Sequence, residues 1–309
     1  MNSKSVFHLA LLLPLFTGAV HGQAPAPPTS PVKTSDRTLP DIPTLMREVE
    51  AHQRQAEAVE KDYLYHEAVR TEELDGHGSV KKTTTEEFDD FWVGGVSVRK
   101  LVKKDDKDLS ADEQKKESEK IDKEIAKRQE RRAKADSEGK DTDPAGHDEI
   151  TVSRLLELGS FTNPRREQIS GRDTIVVDFA GNPKAKTRNA AESIIHDIAG
   201  TAWIDEQDKA LIRTEGRFVN PFKIGGGLFV NVKKDTSFSL QMRKVNDEVW
   251  LPETIKGQGQ ARFLLLVGVN GRAEIQFGDY RKFKATSTIL PGLNQVDEPN
   301  PVIPPPSER

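Results

Sequence analysis

The chain has 309 residues, a net charge of −4 and no cysteine. Mild acidity offers none of the basic surface that nucleic acid demands. The lack of cysteine excludes disulfides, thiolate catalysis, cysteine metal sites and the lipid-bearing cysteine of a bacterial lipoprotein, while a chain this long buries a sizeable core without such staples.

The first residues read MNSKSVFHLALLLPLFTGAVHGQA. One cation, Lys4, precedes an apolar run from Val6 to Phe16 and then small residues. The run is too short to span a bilayer and predicts a signal peptide over residues 1–22. Cleavage is expected between Gly22 and Gln23, with Val20 and Gly22 at the small-residue positions. Losing Lys4 takes the net charge from −4 to −5. No other stretch approaches the roughly 18 apolar residues of a membrane span, so the expected product is exported, periplasmic and without a stable membrane anchor. Residues 23–42 form a Pro-rich linker, and residues 286–309 a Pro-rich tail.

Between them the pattern predicts one domain, 43–285. Asp41 and Pro43 signal a helix from about Thr44 to Asp62, with Leu45, Val49, His52, Ala56, Val59 and Tyr63 on one stripe. Three strand-like runs follow, 63–74, 79–93 and 96–104, separated by Asp75-Gly76-His77-Gly78 and Gly94-Gly95. Residues 104–148 are a charged insertion. From about Ser110 to Ala135 it is expected to be helical, because Asp112–Lys116, Glu119–Lys123, Glu124–Arg128 and Glu130–Lys134 each place the acid four residues before the base. Its apolar stripe is little more than Ile121 and Ile125, which predicts a solvated surface helix, or, as a sharper reading, an arm that docks another protein.

Residues 150–161 suggest a short helix, and 165–182 a strand pair turning at Gly171-Arg172. Asn189 to Glu192 resembles a capping box opening a helix that ends at Gly200. Four or five further strand runs close the domain, and Asn270-Gly271 is a hairpin signal. Alternation of Ala273, Ile275 and Phe277 with Glu274 and Gln276 marks an antiparallel sheet with one face on a core.

Little here promises chemistry. Asp205, Glu206 and Asp208 could divide acid and base roles or bind a cation, but their spacing fits no EF-hand, and a polar turn between TAWI and ALIR explains them better. There is no Gly-x-Ser-x-Gly elbow, no His-Glu-x-x-His and no phosphate loop, and Ile224-Gly-Gly-Gly-Leu228 lacks the lysine a nucleotide site needs. The histidines left after cleavage sit at no paired ligand spacing, although His66 and His77 could meet across a hairpin.

The order of elements, the run IS-GRDTIVVDF with its Gly171-Arg172 turn and Val176-Val177, and AGTAWIDEQDKALIRTEG with Trp203-Ile204-Asp205 and Arg213 resemble the outer-membrane lipoprotein-sorting superfamily of LolA, LolB and RseB. The resemblance covers about Pro43 to Phe283, apart from the charged insertion. It implies an α+β fold: a curved, unclosed antiparallel half-barrel with helices on the concave side, and a hydrophobic cavity for acyl chains. It implies no metal, no cofactor and no catalytic residue. An acyl chain in water costs about 0.8 kcal/mol per CH₂, so carrying one demands such a cavity. Strand alternation offers Phe88, Trp92, Val177, Phe179, Trp203, Leu240, Leu264, Leu266 and Phe277 as lining. The expected function is non-catalytic binding of a lipid, a lipidated protein or another apolar ligand. An RseB-like module docking an envelope protein through the charged helix, and a secreted hydrolase with a spatially assembled site, are the alternatives.

Overall fold

The computed structural model describes residues 37–139, 150–224, 230–263 and 267–283. The predicted signal peptide, most of the linker, the C-terminal tail, the glycine run 225–227 and Leu264 and Leu266 lie outside the described residues.

Helix α1 spans Ile42–Glu60. The Asp41 side chain accepts the Thr44 N–H at 3.0 Å, closing the first turn, and Pro43 needs no partner there. Leu45, Met46 and Val49 are buried, while Ala56 and Val59 pack against Tyr63, Val249 and Leu251. The helix stops two residues before the expected Asp62.

Strands β1 (Tyr63–Leu74), β2 (Val80–Val93) and β3 (Val96–Lys104) form the anticipated meander. Gly94 and Gly95, both at positive φ (55° and 81°), make the two-residue turn between β2 and β3 that matches strand twist. A two-residue strand, β4 (Lys107–Asp108), leads to helix α2 (Ala111–Ser137), opened by a capping box of Ser110 and Glu113. Helix α3 (Val152–Leu158) runs into β5 (Gly159–Ile169) and β6 (Arg172–Gly181). The helix expected to reach Gly200 is a single turn, α4 (Ala190–Ser193), followed by a 3₁₀ turn, Ile194–Asp197. Chain from Ile198 onward is instead strand β7 (Ile198–Asp205), because Ile198 finds Phe218 across a sheet ladder and tertiary pairing overrides local helix preference.

Strands β8 (Ala210–Phe218), β9 (Phe222–Ile224), β10 (Val230–Val232), β11 (Ser237–Val245), β12 (Val249–Phe263) and β13 (Val267–Lys282) complete the chain. The Asn270-Gly271 hairpin is not formed. Both residues lie within β13, opposite Gln260 and Gly259. The Asn270 amide donates to the carbonyls of Leu74 and Asp75 at 3.2 and 3.1 Å. A Cβ on Gly271 would stand 2.2 Å from the Glu72 carbonyl oxygen. These residues serve close approach between strands, so the dipeptide signals contact here and not reversal.

All strands belong to one antiparallel sheet in the order β4-β3-β2-β1-β13-β12-β11-β8-β7-β6-β5, with β10 on β12 and β9 on β10. The last strand lies beside the first, yet β4 and β5 never meet, so the sheet is an unclosed half-barrel with helices on its concave side. One core cluster joins α1 and α3 to β6, β7 and β8, through residues such as Leu45, Leu155, Leu158, Ile175, Ile204 and Phe218. The two edges are protected differently. Edge strand β5 carries Pro164 and an irregular register between Thr162 and Arg165, and α2 lies along β3.

Candidate functional site: the helix-covered face of the sheet

Directly paired residues in a sheet share a face. One row runs Val177, Ala202, Thr214, Leu240, Ile255, Ile275 and Val69 across seven strands. A second runs Phe277, Glu67 and Phe88. Trp92 follows Phe88 by alternation, and its ring lies 5.6 Å from the Lys61 ammonium at the end of α1. Six of the residues picked by strand alternation therefore share the inner face: Phe88, Trp92, Val177, Phe179, Leu240 and Phe277.

Their surroundings differ. Val177 and Phe179 sit in the packed cluster beneath α1 and α3. Leu240, Ile255, Phe277, Val69 and Trp92 remain half-buried, beyond the reach of that cluster. Among them stands Thr214, fully buried, whose Oγ1 has no hydrogen-bond partner among the described residues.

Trp203 lies on the opposite face. Its neighbours Ala202 and Ile204 point inward, and its indole covers the outer surface, with the Arg213 guanidinium 4.7 Å from its ring. Sequence reasoning took the largest residue of TAWID as the inward one. The strand instead buries small Ala202 and branched Ile204, and a stacked arginine shields the tryptophan.

A polar cluster on the inner face escaped the sequence reading. Glu67 is 2% exposed and accepts Arg99 Nε at 2.6 Å and a second bond from Arg99 Nη2. Arg99 also lies 3.5 Å over the Phe88 ring. Asp90 pairs with Tyr65 and Arg99 across the ladders and presents Oδ2 with no hydrogen-bond partner. Burial, then the neighbouring Glu67 charge, raises the Asp90 pKa. Glu60, at the last turn of α1, is half-buried, and its carboxyl is pushed up to about 7 by burial and then by the Glu57 charge. Burial likewise raises Tyr65 and Tyr280. The available signal was an acid between Tyr65 and Val69 on the apolar side of an alternating strand.

The carboxylates of the 205–208 turn have structural roles. Asp205 is fully buried and accepts the backbone N–H groups of Gln207 and Asp208 at 3.1 and 2.7 Å, as a turn requires. It also takes Arg172 Nε at 2.5 Å and Nη2 at 2.8 Å. Asp208 accepts from Lys244 at 2.8 Å and from Trp250 Nε1 at 2.9 Å, and these partners hold its pKa low against burial. Glu206 is bound in a fork by Arg166 at 2.7 and 2.8 Å. Each of the three carboxylates is thus held by at least one cation. His66 turns to Glu87 and Asp89, at 3.3 and 3.1 Å, and not to His77. Among the described residues no group of three or more His, Asp or Glu is arranged to hold a metal ion.

No family model and no curated protein matches the chain. Among solved structures, it is similar to a putative outer membrane lipoprotein-sorting protein domain from Vibrio parahaemolyticus, at 10% identity and a TM-score of 0.36, over 78% of this chain and 95% of that one. It is similar to a LolA superfamily protein from Nitrosomonas europaea, at 9% identity and a TM-score of 0.33, over 76% of this chain and 93% of that one. The MucA/MucB complex of Pseudomonas aeruginosa matches at 9% identity and a TM-score of 0.23, over 77% of this chain and 100% of that one.

Proposed function

We propose that this is an exported, non-catalytic binding protein whose inner sheet face holds the acyl chain of a lipid or lipidated protein in the periplasm. The observation that supports it is the row Leu240, Ile255, Ile275 and Val69, flanked by Phe277 and Trp92. It is apolar, faces the same side as α1 and α3, and continues past the packed cluster with most of its members only half-buried. Apolar area of this kind releases about 25 cal/mol per Å² when a ligand covers it. The buried Thr214 hydroxyl, lacking a partner, would gain one from the ester or amide carbonyl of a chain reaching the helix-covered end. No ionisable group is required to react.

Fluorescence of an acyl probe, cis-parinaric acid, added to delipidated protein tests the reading. Micromolar, saturable binding is expected. Leu240→Asp, which sets a charge in the row, should weaken it at least tenfold while the fold survives, since Leu240 lies outside the packed cluster. Absence of saturable binding in the unaltered protein, or equal binding by Leu240→Asp, would refute it.

A further inference from the structure

Glu60 closes α1 on the side that faces the sheet. It follows Ala56 by one helical turn, and Ala56 packs on Tyr63, Val249 and Leu251, with Tyr280 against the same cluster. Glu60 is half-buried and makes no hydrogen bond or ion pair among the described residues. Its charge reaches two rings of the inner face. Burial, then the charges of Asp90 and Glu60, raises the Tyr65 pKa, and burial raises Tyr280 against the Arg243 cation, with Glu60 adding to it. The Tyr65 ring stands 5.4 Å from that of Tyr280 and 5.9 Å from that of Phe277. Tyr65 is thus a neighbour both of Glu60 and of the apolar row.

The cations of this region are held by other groups. The Lys61 ammonium lies 5.6 Å from the Trp92 ring, Arg99 forks Glu67, and the Arg243 guanidinium lies 4.8 Å from the Tyr280 ring. The other ionisable groups are Glu57 on α1, Tyr65 and Glu67 on β1, Asp90 on β2, Glu253 on β12 and Tyr280 on β13, and none of them carries positive charge. His66 turns to Glu87 and Asp89 on the outer face. Burial and then the Glu57 charge outweigh the adjacent Lys61 and push the Glu60 carboxyl up to about 7. A half-buried carboxyl still reaches water on one side. A ligand lying over Tyr65 and Phe277 removes that water, and the charged form bears the desolvation while the protonated form does not.

We propose that Glu60 couples the inner face to pH: the face holds an acyl guest while this carboxyl is protonated and loosens it once the carboxyl is charged. The proposal rests on the acyl-binding reading and names the regulation of that site. The bound state then keeps the Glu60 proton to higher pH than the free state, so binding takes up protons near neutral pH. Affinity is complete below the free-state pKa and is lost as pH rises beyond it.

The test uses the methyl ester of cis-parinaric acid, which carries no titratable group, with the full chain and its variant E60Q at pH 5.5 and pH 8. The unaltered chain should bind at least about fourfold more weakly at pH 8 than at pH 5.5. E60Q should bind at both pH values within about twofold of the unaltered chain at pH 5.5, because its amide is never charged. Equal affinity of the unaltered chain at both pH values, or a pH dependence that survives in E60Q, overturns the proposal and leaves acyl binding standing. No saturable binding at either pH overturns acyl binding and this proposal with it. Should E60Q fail to fold, calorimetry of the unaltered chain at pH 7.5 in two buffers of different ionisation enthalpy reads the proton directly. Net proton uptake on binding is expected, and its absence overturns the proposal.

Discussion

Replacing Glu192 by alanine tests how the helices are held over the sheet. Glu192 and Arg154 are 3% and 8% exposed, and they meet in a fork with both bonds at 2.8 Å. Glu192 also accepts the Arg188 N–H at 2.5 Å, and Arg154 donates to the Lys186 carbonyl at 2.6 Å. The pair therefore fastens α3 to the segment that carries Ile195 into the core. Removing one partner of a buried ion pair costs about 3–5 kcal/mol, because the other charge stays buried. Arg154 keeps Glu157, whose side chain is 60% exposed, as a second partner, which argues for the lower end, about 3 kcal/mol. Replacing both by apolar residues, Arg154→Met with Glu192→Leu, removes the desolvation cost together with the attraction and should lie within about 1 kcal/mol of the original chain. Urea unfolding at pH 7, followed by circular dichroism, reads all three proteins, provided the slope m is unchanged. The pair also makes a pH prediction. The Arg154 bonds hold the Glu192 pKa below its ordinary value, so its stabilisation is present above the unfolded carboxylate pKa and is lost as pH falls through the lower folded one. A loss below about 1 kcal/mol for Glu192→Ala, or a double variant no more stable than Glu192→Ala, refutes the reasoning.

Other tests reach different parts of the molecule. Glu60 has a folded pKa of about 7, above its unfolded value, so the folded state holds its proton longer and stability falls as pH rises from about 4.5 to 7. Glu60→Gln should match the unaltered protein at pH 4.5 and exceed it by about 1–3 kcal/mol at pH 8 in urea unfolding, and an equal difference at both pH values counts against the assignment. Gly200→Ala would place a Cβ 2.1 Å from the Glu215 carbonyl oxygen, a backbone atom of the neighbouring strand. It should cost about 1–3 kcal/mol by thermal or urea unfolding, and a neutral result contradicts the close approach of β7 and β8.

Much of the order of elements could be read from residues alone. The stripe Leu45, Val49, Ala56, Val59 and the Asp41 cap specify α1, and Gly94-Gly95 between alternating runs specifies the β2–β3 turn, because these signals act within one turn or one pair of strands. Spaced acid–base pairs likewise mark α2 as a helix. The inner-face positions of Phe88, Trp92, Leu240 and Phe277 followed from simple alternation. Where sequence reasoning failed, the deciding contact was distant. Asn270-Gly271 reads as a turn until Leu74 and Glu72 are brought beside it. Trp203 reads as core until Ala202 and Ile204 take the inner side, and residues 198–200 read as helix until Phe218 offers a ladder.

The sequence by itself determined a cysteine-free antiparallel sheet protein with a charged insertion, since composition and short-range periodicity carry that information. Tertiary structure alone decided that Glu67, Asp90 and Arg99 converge on the apolar face, that Arg154 finds Glu192, and that α2 lies along β3. Each of these joins residues separated by strand pairing or chain reversal, and the free energy of a buried charge or an open sheet edge depends on what is placed beside it in space.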